Sequence, residues 1–314
     1  MSRWPFAAML VAASVGASSL FAPGAVAGDD LAAAGVRDAA AIMGNANWSL
    51  RLPQDGQVVY RGLASFDEAG TGSASFLYPA PNAGGLIVAV LTHGLLVESA
   101  KKDQKDKLQA AADTVLLPYK GVVDNFNHLD LMRRALAKTS TGGKGKLIES
   151  SANPGPEMLV ESAPVFSLTQ DQNAIILDNV VAILMPGAAP GAAYRNTLRI
   201  ISTAAGATDP VAFWTANDGE KLKDQSAQLV AESLDIAFGD AAAGTNREGI
   251  PYRTIRYREG TAEKIERAQV LSNRCDRLVI RNLRGAVMSV PVAPVTTVAS
   301  AADHCEPGTI VGPK

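Results

Sequence analysis

Cysteine and histidine are scarce in this chain: 314 residues include two of the former and three of the latter. Two cysteines rule out a disulfide-dense scaffold, and the lack of a Cys-x-x-Cys pair argues against a redox or zinc site. His93, His128 and His304 fall in three separate stretches, so their spacing gives no three-histidine metal site. His304 beside Cys305 does not complete a ligand set either. An excess of one charge is also missing. Lys and Arg total 29 against 31 Asp and Glu, whereas proteins that bind DNA or RNA show a marked basic surplus, so no nucleic-acid partner is expected. Catalytic signatures are absent too: there is no Gly-x-Ser-x-Gly elbow, no His-Glu-x-x-His and no Gly-x-Gly-x-x-Gly. Gly142–Lys146 lacks the glycine spacing of a phosphate loop and the Ser or Thr that follows its last Lys, so it reads as a solvated linker. No cofactor and no metal are expected, and the chain reads as non-enzymatic.

What is present begins with a leader. Arg3 opens it, an uncharged stretch follows with its apolar core at Phe6–Val15, and Ala25-Val26-Ala27 supplies the small-x-small pattern of a cleavage site. Gly16, Pro23 and Gly24 interrupt the run and argue against a retained anchor. Residues 1–27 are therefore expected to be a signal peptide, and the mature chain to be exported to the periplasm or the extracellular space. In an oxidising compartment, Cys275 and Cys305 are expected to form a disulfide that pins a Pro-rich tail, 291–314. The Asn47-Trp48-Ser49 sequon has no force without a eukaryotic host.

The mature chain reads as α+β, with a mostly antiparallel sheet and segregated helices. Residues 28–140 are expected to hold an Ala-rich arm, a hairpin and a helical subregion. The hairpin joins Ser49–Leu52 to Gln57–Gly62 across Pro53-Gln54-Asp55-Gly56, and Ala74–Tyr78 adds a short strand. Gly84–Val97 is almost wholly apolar and is expected to begin a long helix running to about residue 116, where Pro118 stops it. About 15 uncharged residues make roughly 22 Å of helix, too short to span a bilayer core of about 30 Å comfortably. A second helix is expected over 121–138, with Val122, Phe126, Leu129 and Leu136 on its apolar face. The glycine-rich loop 139–146 is expected to be a boundary between two subregions.

Residues 147–290 are expected to form the main antiparallel sheet around one long helix, 218–238. Strands are predicted at Met158–Thr169, Ala174–Met185 and Tyr194–Thr203, with a short one at Val211–Trp214. The helix is predicted to start at a capping box, Asn217 with Glu220, and to stop at Gly239. Tyr252–Tyr257, Lys264–Leu271 and Leu278–Val290 follow as strands, although Thr261–Ser272 reads equally as helix.

One chemical feature rises above the background. Between Thr245 and Gly285 stand Arg247, Arg253, Arg256, Arg258, Lys264, Arg267, Arg274, Arg277, Arg281 and Arg284, against Glu248, Glu259, Glu263, Glu266 and Asp276. Guanidinium groups bind carboxylates and phosphates in bidentate fashion. Arg253, Arg256, Arg277 and Arg281 are the candidate binding residues, and the expected partner is an envelope protein or an anionic envelope polymer. Two alternatives stay open. One is a membrane-associated, self-assembling protein acting through the 84–97 segment, with membrane contact but no span; release by alkaline carbonate would exclude it. The other is an unrecognised periplasmic hydrolase using His93 or His128, which needs either ring beside a serine or carboxylate in an open cleft.

Overall fold

The computed structural model describes residues 46–54, 56–65, 99–187, 194–244, 249–274 and 276–292. The leader, the Ala-rich arm, the Ala74–Tyr78 strand, the apolar run 84–97, His93, both cysteines and the tail beyond Val292 lie outside the described residues.

The architecture is α+β, with ten strands in a mostly antiparallel sheet. Its centre is three long strands: β4 (Met158–Leu168), β5 (Ile175–Leu184) and β6 (Tyr194–Ile201). β4 alternates buried and less buried positions from Val160 on, and β5 and β6 do so over part of their length, which is the period-two signal that predicts them. Between β4 and β5, Gln172 sits at φ 57. Its side-chain oxygen accepts from the Tyr119 hydroxyl at 2.7 Å and its carbonyl from Trp214 Nε1 at 2.8 Å, so the packing around it holds the turn.

The predicted hairpin over 49–62 does not form. β1 (Trp48–Arg51) and β2 (Val59–Gly62) both lie parallel to β4, one beside Met158–Glu161 and the other beside Val165–Leu168. The chain therefore keeps its direction from β1 to β2 instead of reversing. Between the two strands, Val58 N–H donates to the Phe126 carbonyl, and His128 N–H donates to the Gly56 carbonyl. β3 (Gly145–Ile148) adds to the outer side of β1. Beyond β6 come β10 (Val287–Pro291), β9 (Arg277–Asn282), β8 (Ala262–Arg274) and β7 (Tyr252–Glu259), in that order. The stretch Thr261–Ser272 is thus not helical: Thr261 completes a turn and 262–272 are extended. The predicted Leu278–Val290 strand is two strands, because Asn282 Oδ1 accepts the Arg284 and Ala286 amides and Gly285 takes φ 81.

Several helices differ from their predicted bounds. α1 (Ser99–Asp113) gives way to a 3-10 turn, Thr114–Tyr119, which contains Pro118. The helix predicted at 121–138 is two: α2 (Lys120–Val123) and α3 (His128–Lys138). Asn127 caps the second, its Oδ1 accepting the Asp130 amide at 2.9 Å. This restart resets the helical phase, so Leu131, Met132 and Ala135 are buried while Leu129 is exposed.

α4 (Pro210–Ala243) contains the largest surprise. Val211–Trp214, predicted as a strand, is its first turn, capped by Asp209 and opened by Pro210. Asn217, Asp218 and Gly219 are not a cap but a left-handed elbow, with φ of 53, 55 and 74. These residue types tolerate that region best. At Gly219 a Cβ would also lie 2.2 Å from Val122 Cγ1. The helix then passes Gly239 and ends at Gly244.

Two apolar layers flank the sheet. Under the helices, one cluster joins Leu50, Phe126 and Leu131 from before the 139–146 stretch to Val160, Ile200 and Leu234 from after it. That stretch, expected as a linker, is instead a 3-10 turn, Gly142–Lys144, leading into β3. On the other face the β7–β8 hairpin curls back, and Ile255, Tyr257 and Ala268 meet Ile176, Ile201, Met288 and Val290. The hairpin tip is latched by Asp171 in the β4–β5 turn. One carboxylate oxygen accepts the Thr261 amide and hydroxyl, each at 2.6 Å, and the other accepts Thr169 Oγ1 and the Asn173 amide. Burial raises this carboxyl, but the hydrogen bonds outweigh burial and hold it below the usual carboxylate range. A depressed carboxyl stabilises the fold above its unfolded pKa and stops doing so as pH falls through the folded value. Asp171→Asn is therefore expected to lower stability at pH 7 by about 1–2 kcal/mol. In urea titrations the gap to wild type should close as the pH drops below the carboxylate range; a gap independent of pH would refute the latch.

Candidate functional site

The four predicted arginines do not form one surface. β9 alternates Arg277, Val279 and Arg281 toward the helical face, where both cations meet α4. Arg277 Nε lies 3.0 Å from Glu232 Oε1, and its Nη2 donates to the Ile201 carbonyl at 2.8 Å. Ser289 Oγ donates to the same Glu232. Arg281 Nη2 lies 2.6 Å from Asp240 Oδ1. The other Asp240 oxygen accepts the Tyr194 hydroxyl at 2.8 Å and Asn196 Nδ2 at 3.0 Å. The Asp240 side chain is 4% exposed. Burial, then the neighbouring Asp240, pushes the Tyr194 hydroxyl far above its ordinary pKa, so it serves as a donor here. Arg277 and Arg281 are thus committed to internal ion pairs.

β7 places the other two on opposite faces. Ile255, Tyr257 and Glu259 point into the second apolar layer, and Arg253 shares their parity at the strand's exposed start. Arg256 shares the outward face with Tyr252, Thr254 and Arg258, all exposed. Register sets Arg267 opposite Thr254, Ile265 opposite Arg256 and Glu263 opposite Arg258. Arg256 pairs with Glu263 at 2.7 Å, and both remain largely in solvent. Arg258 Nη1 donates to the Thr261 carbonyl at 2.8 Å. Tyr252 and Ile265 add apolar surface, 39% and 58% exposed. The outer face of the hairpin therefore gathers Arg256, Arg258 and Arg267 with a tyrosine and an isoleucine. Of these, sequence reasoning had singled out only Arg256. The missed signal was strand parity: 252, 254, 256 and 258 share a face, and so do 265 and 267.

Beneath the hairpin, Arg199 grips Asp178 through two bonds of 2.8 Å. Burial opposes its charge, but Asp178 outweighs burial and raises its pKa. Tyr257 is pushed up to about 12 by burial and then by Glu259. These groups support the curl rather than a solvent-open site.

An open groove of about 730 Å³ lies between β2 and the α1 to 3-10 segment. Val58, Tyr60, Leu116 and Leu117 line it, with Asp113 and Lys120 among its polar groups. Asp113 already accepts the Gly62 amide and Gln109 Nε2. Among the described residues, no histidine, serine or cysteine lines the groove. His128, the one described histidine, is 5% exposed at the start of α3. Among the described residues no group of three His, Cys, Asp or Glu could hold a metal, and no helix is long and apolar enough to cross a membrane. Comparison with known proteins finds no matching family model and no matching curated relative.

The two kinds of arginine are expected to separate on mutation. Arg281→Ala strands the buried Asp240 and should cost roughly 3 kcal/mol. Arg256→Ala should stay within about 0.5 kcal/mol of wild type. Equal losses in chemical denaturation would contradict this division.

Proposed function

We propose that the mature protein is a non-enzymatic binding component of the cell envelope that contacts an anionic partner through the outer face of the β7–β8 hairpin. The observation that carries this reading is the set Arg256, Arg258 and Arg267 turned to solvent beside exposed Tyr252 and Ile265. Guanidinium groups next to apolar and aromatic surface suit recognition of carboxylate or phosphate, and a rim of this kind governs association rate and salt sensitivity. Arg277 and Arg281 hold the scaffold that presents this face and do not touch the partner. No cofactor is called for.

Export sets the compartment of this proposal. The leader motivates it, and the Cys275–Cys305 disulfide belongs to the same reading. Val292 N–H donates to the Asp276 carbonyl at 2.9 Å, so the described chain ends beside the residue that follows Cys275. From there 12 residues separate Val292 from Cys305, ample chain to return to the β8–β9 connection. Closing the loop restricts the unfolded chain by roughly 3–4 kcal/mol in the entropy model. Intact mass of the exported protein is expected to show a chain starting at Gly28 and lacking two hydrogens. A full-length mass, or two free thiols, would remove the export reading.

The binding reading is tested with the triple variant Arg256→Glu, Arg258→Glu, Arg267→Glu. Against immobilised polyglutamate and polyphosphate, wild type is expected to bind with strong salt dependence, and the variant to weaken by roughly tenfold or more. Its thermal melt should stay close to wild type, because these side chains lie outside both apolar layers. Unchanged binding by the triple variant, or no binding by wild type, would defeat the proposal.

A further inference from the structure

Among the described strands β7 ends the sheet. Glu259 and Ala262 close a two-residue turn in which Gly260 takes φ 63. In such a hairpin the closing residues exchange hydrogen bonds, and bonded pairs then recur every second residue. Arg253, Ile255, Tyr257 and Glu259 therefore spend their backbone groups on β8. The N–H and C=O groups of Tyr252, Thr254, Arg256 and Arg258 point away from the sheet, along an edge that no described strand pairs. An unpaired strand edge of this length is a template for another strand.

From this edge we infer that the partner is a polypeptide, and that an extended acidic segment of it adds beside β7 as a further strand. The inference rests on the arginine-face reading above and names its ligand. Charge selects the occupant. A strand lying along β7 sets every second side chain next to Tyr252, Thr254, Arg256 and Arg258, so carboxylates at alternate positions would meet Arg256 and Arg258. A second copy of this chain pairing antiparallel along the whole of the same edge would set Arg256 diagonal to its own counterpart, within reach of a side chain this long, with no acid supplied between the two cations. The same residues thus discourage self-association and favour an acidic guest. Backbone hydrogen bonds would supply the affinity and the arginines the choice of sequence.

The test uses the mature full chain and a synthetic peptide with glutamate at alternate positions between valine and threonine. A second peptide has the same sequence but is N-methylated at every second residue, which removes backbone donors on one edge and leaves charge intact. On the protein side, Thr254→Pro removes one outward N–H without touching the β8 ladder, as an edge position tolerates. The parent peptide is expected to bind wild type, with roughly tenfold or greater weakening on methylation and a similar loss in Thr254→Pro. Because methylation leaves the protein unaltered, a folding defect in the proline variant cannot mimic the result. If the glutamate-reversal variant loses binding while methylation and Thr254→Pro do not, the arginine face stands and strand addition is overturned. If polyphosphate binds and neither peptide does, the polypeptide partner is overturned in favour of a phosphate polymer. If nothing anionic binds, both readings fall.

Discussion

Helix α4 is an acidic spine whose charges must be met by cations from other elements. Glu220 and Asp224 face Arg134 and Lys138 of α3, Asp235 accepts the Ser140 amide and hydroxyl, and Glu232 and Asp240 face Arg277 and Arg281 of β9. The outer pairs are screened by water and contribute little. The inner two matter more, because an unpaired Asp240 beneath the helix would be strongly destabilising. Through these contacts a single helix ties α3 and the Ser140 turn to the carboxy-terminal strand β9 across one face of the sheet. Two of the arginines that look like binding residues are used up inside, whereas Arg256, Arg258 and Arg267 of the hairpin face solvent.

The hairpin itself is held by a different kind of contact. Its inner face supplies one wall of the second apolar layer, and Asp171 fastens its tip. Curling turns one side of β7 inward and the other to solvent, which makes alternate residues of the same strand either core or surface. It also leaves β7 as the last of the described strands, with its backbone groups directed outward. The acidic latch and the basic face are therefore linked: a loosened tip would alter the presentation of Arg256, Arg258 and Arg267 without touching any of them.

Local patterns carried part of this in the sequence. β4, β5 and β6 are legible because each is long and alternates Val, Ile and Leu with smaller or polar residues. The body of α4 is legible from Leu222, Leu229, Val230 and Leu234. The pairings of β1 and β2 are not. They are four-residue strands, and a Pro-Gln-Asp-Gly stretch reads as a reversal whether the chain folds back or keeps its direction beside a parallel neighbour. The elbow at Asn217–Gly219 was hidden for a similar reason, since Asn and Gly serve equally at caps and at left-handed turns. Only the approach of Val122 to Gly219 distinguishes the two, and that contact is tertiary.

The placement of Arg277 and Arg281 was partly encoded after all, though in two distant segments at once. Glu232 and Asp240 are eight residues apart on a helix, a rise of about 12 Å. Arg277 and Arg281 are four residues apart on a strand, a run of about 13 Å. The spacings match, so a helix and a strand running the same way satisfy both pairs in one shared register. Sliding α4 by one turn along the sheet would misalign both pairs, leaving Asp240 buried without its cation. This fixes the helix lengthwise, while α3, through Arg134 and Lys138, fixes where its main segment begins. The preceding turn, Pro210–Thr215, is held separately, because Trp214 is bonded to the β4–β5 turn. The two segments are anchored to different parts of the sheet, and the left-handed elbow lies between them, where Asn-Asp-Gly makes it tolerable.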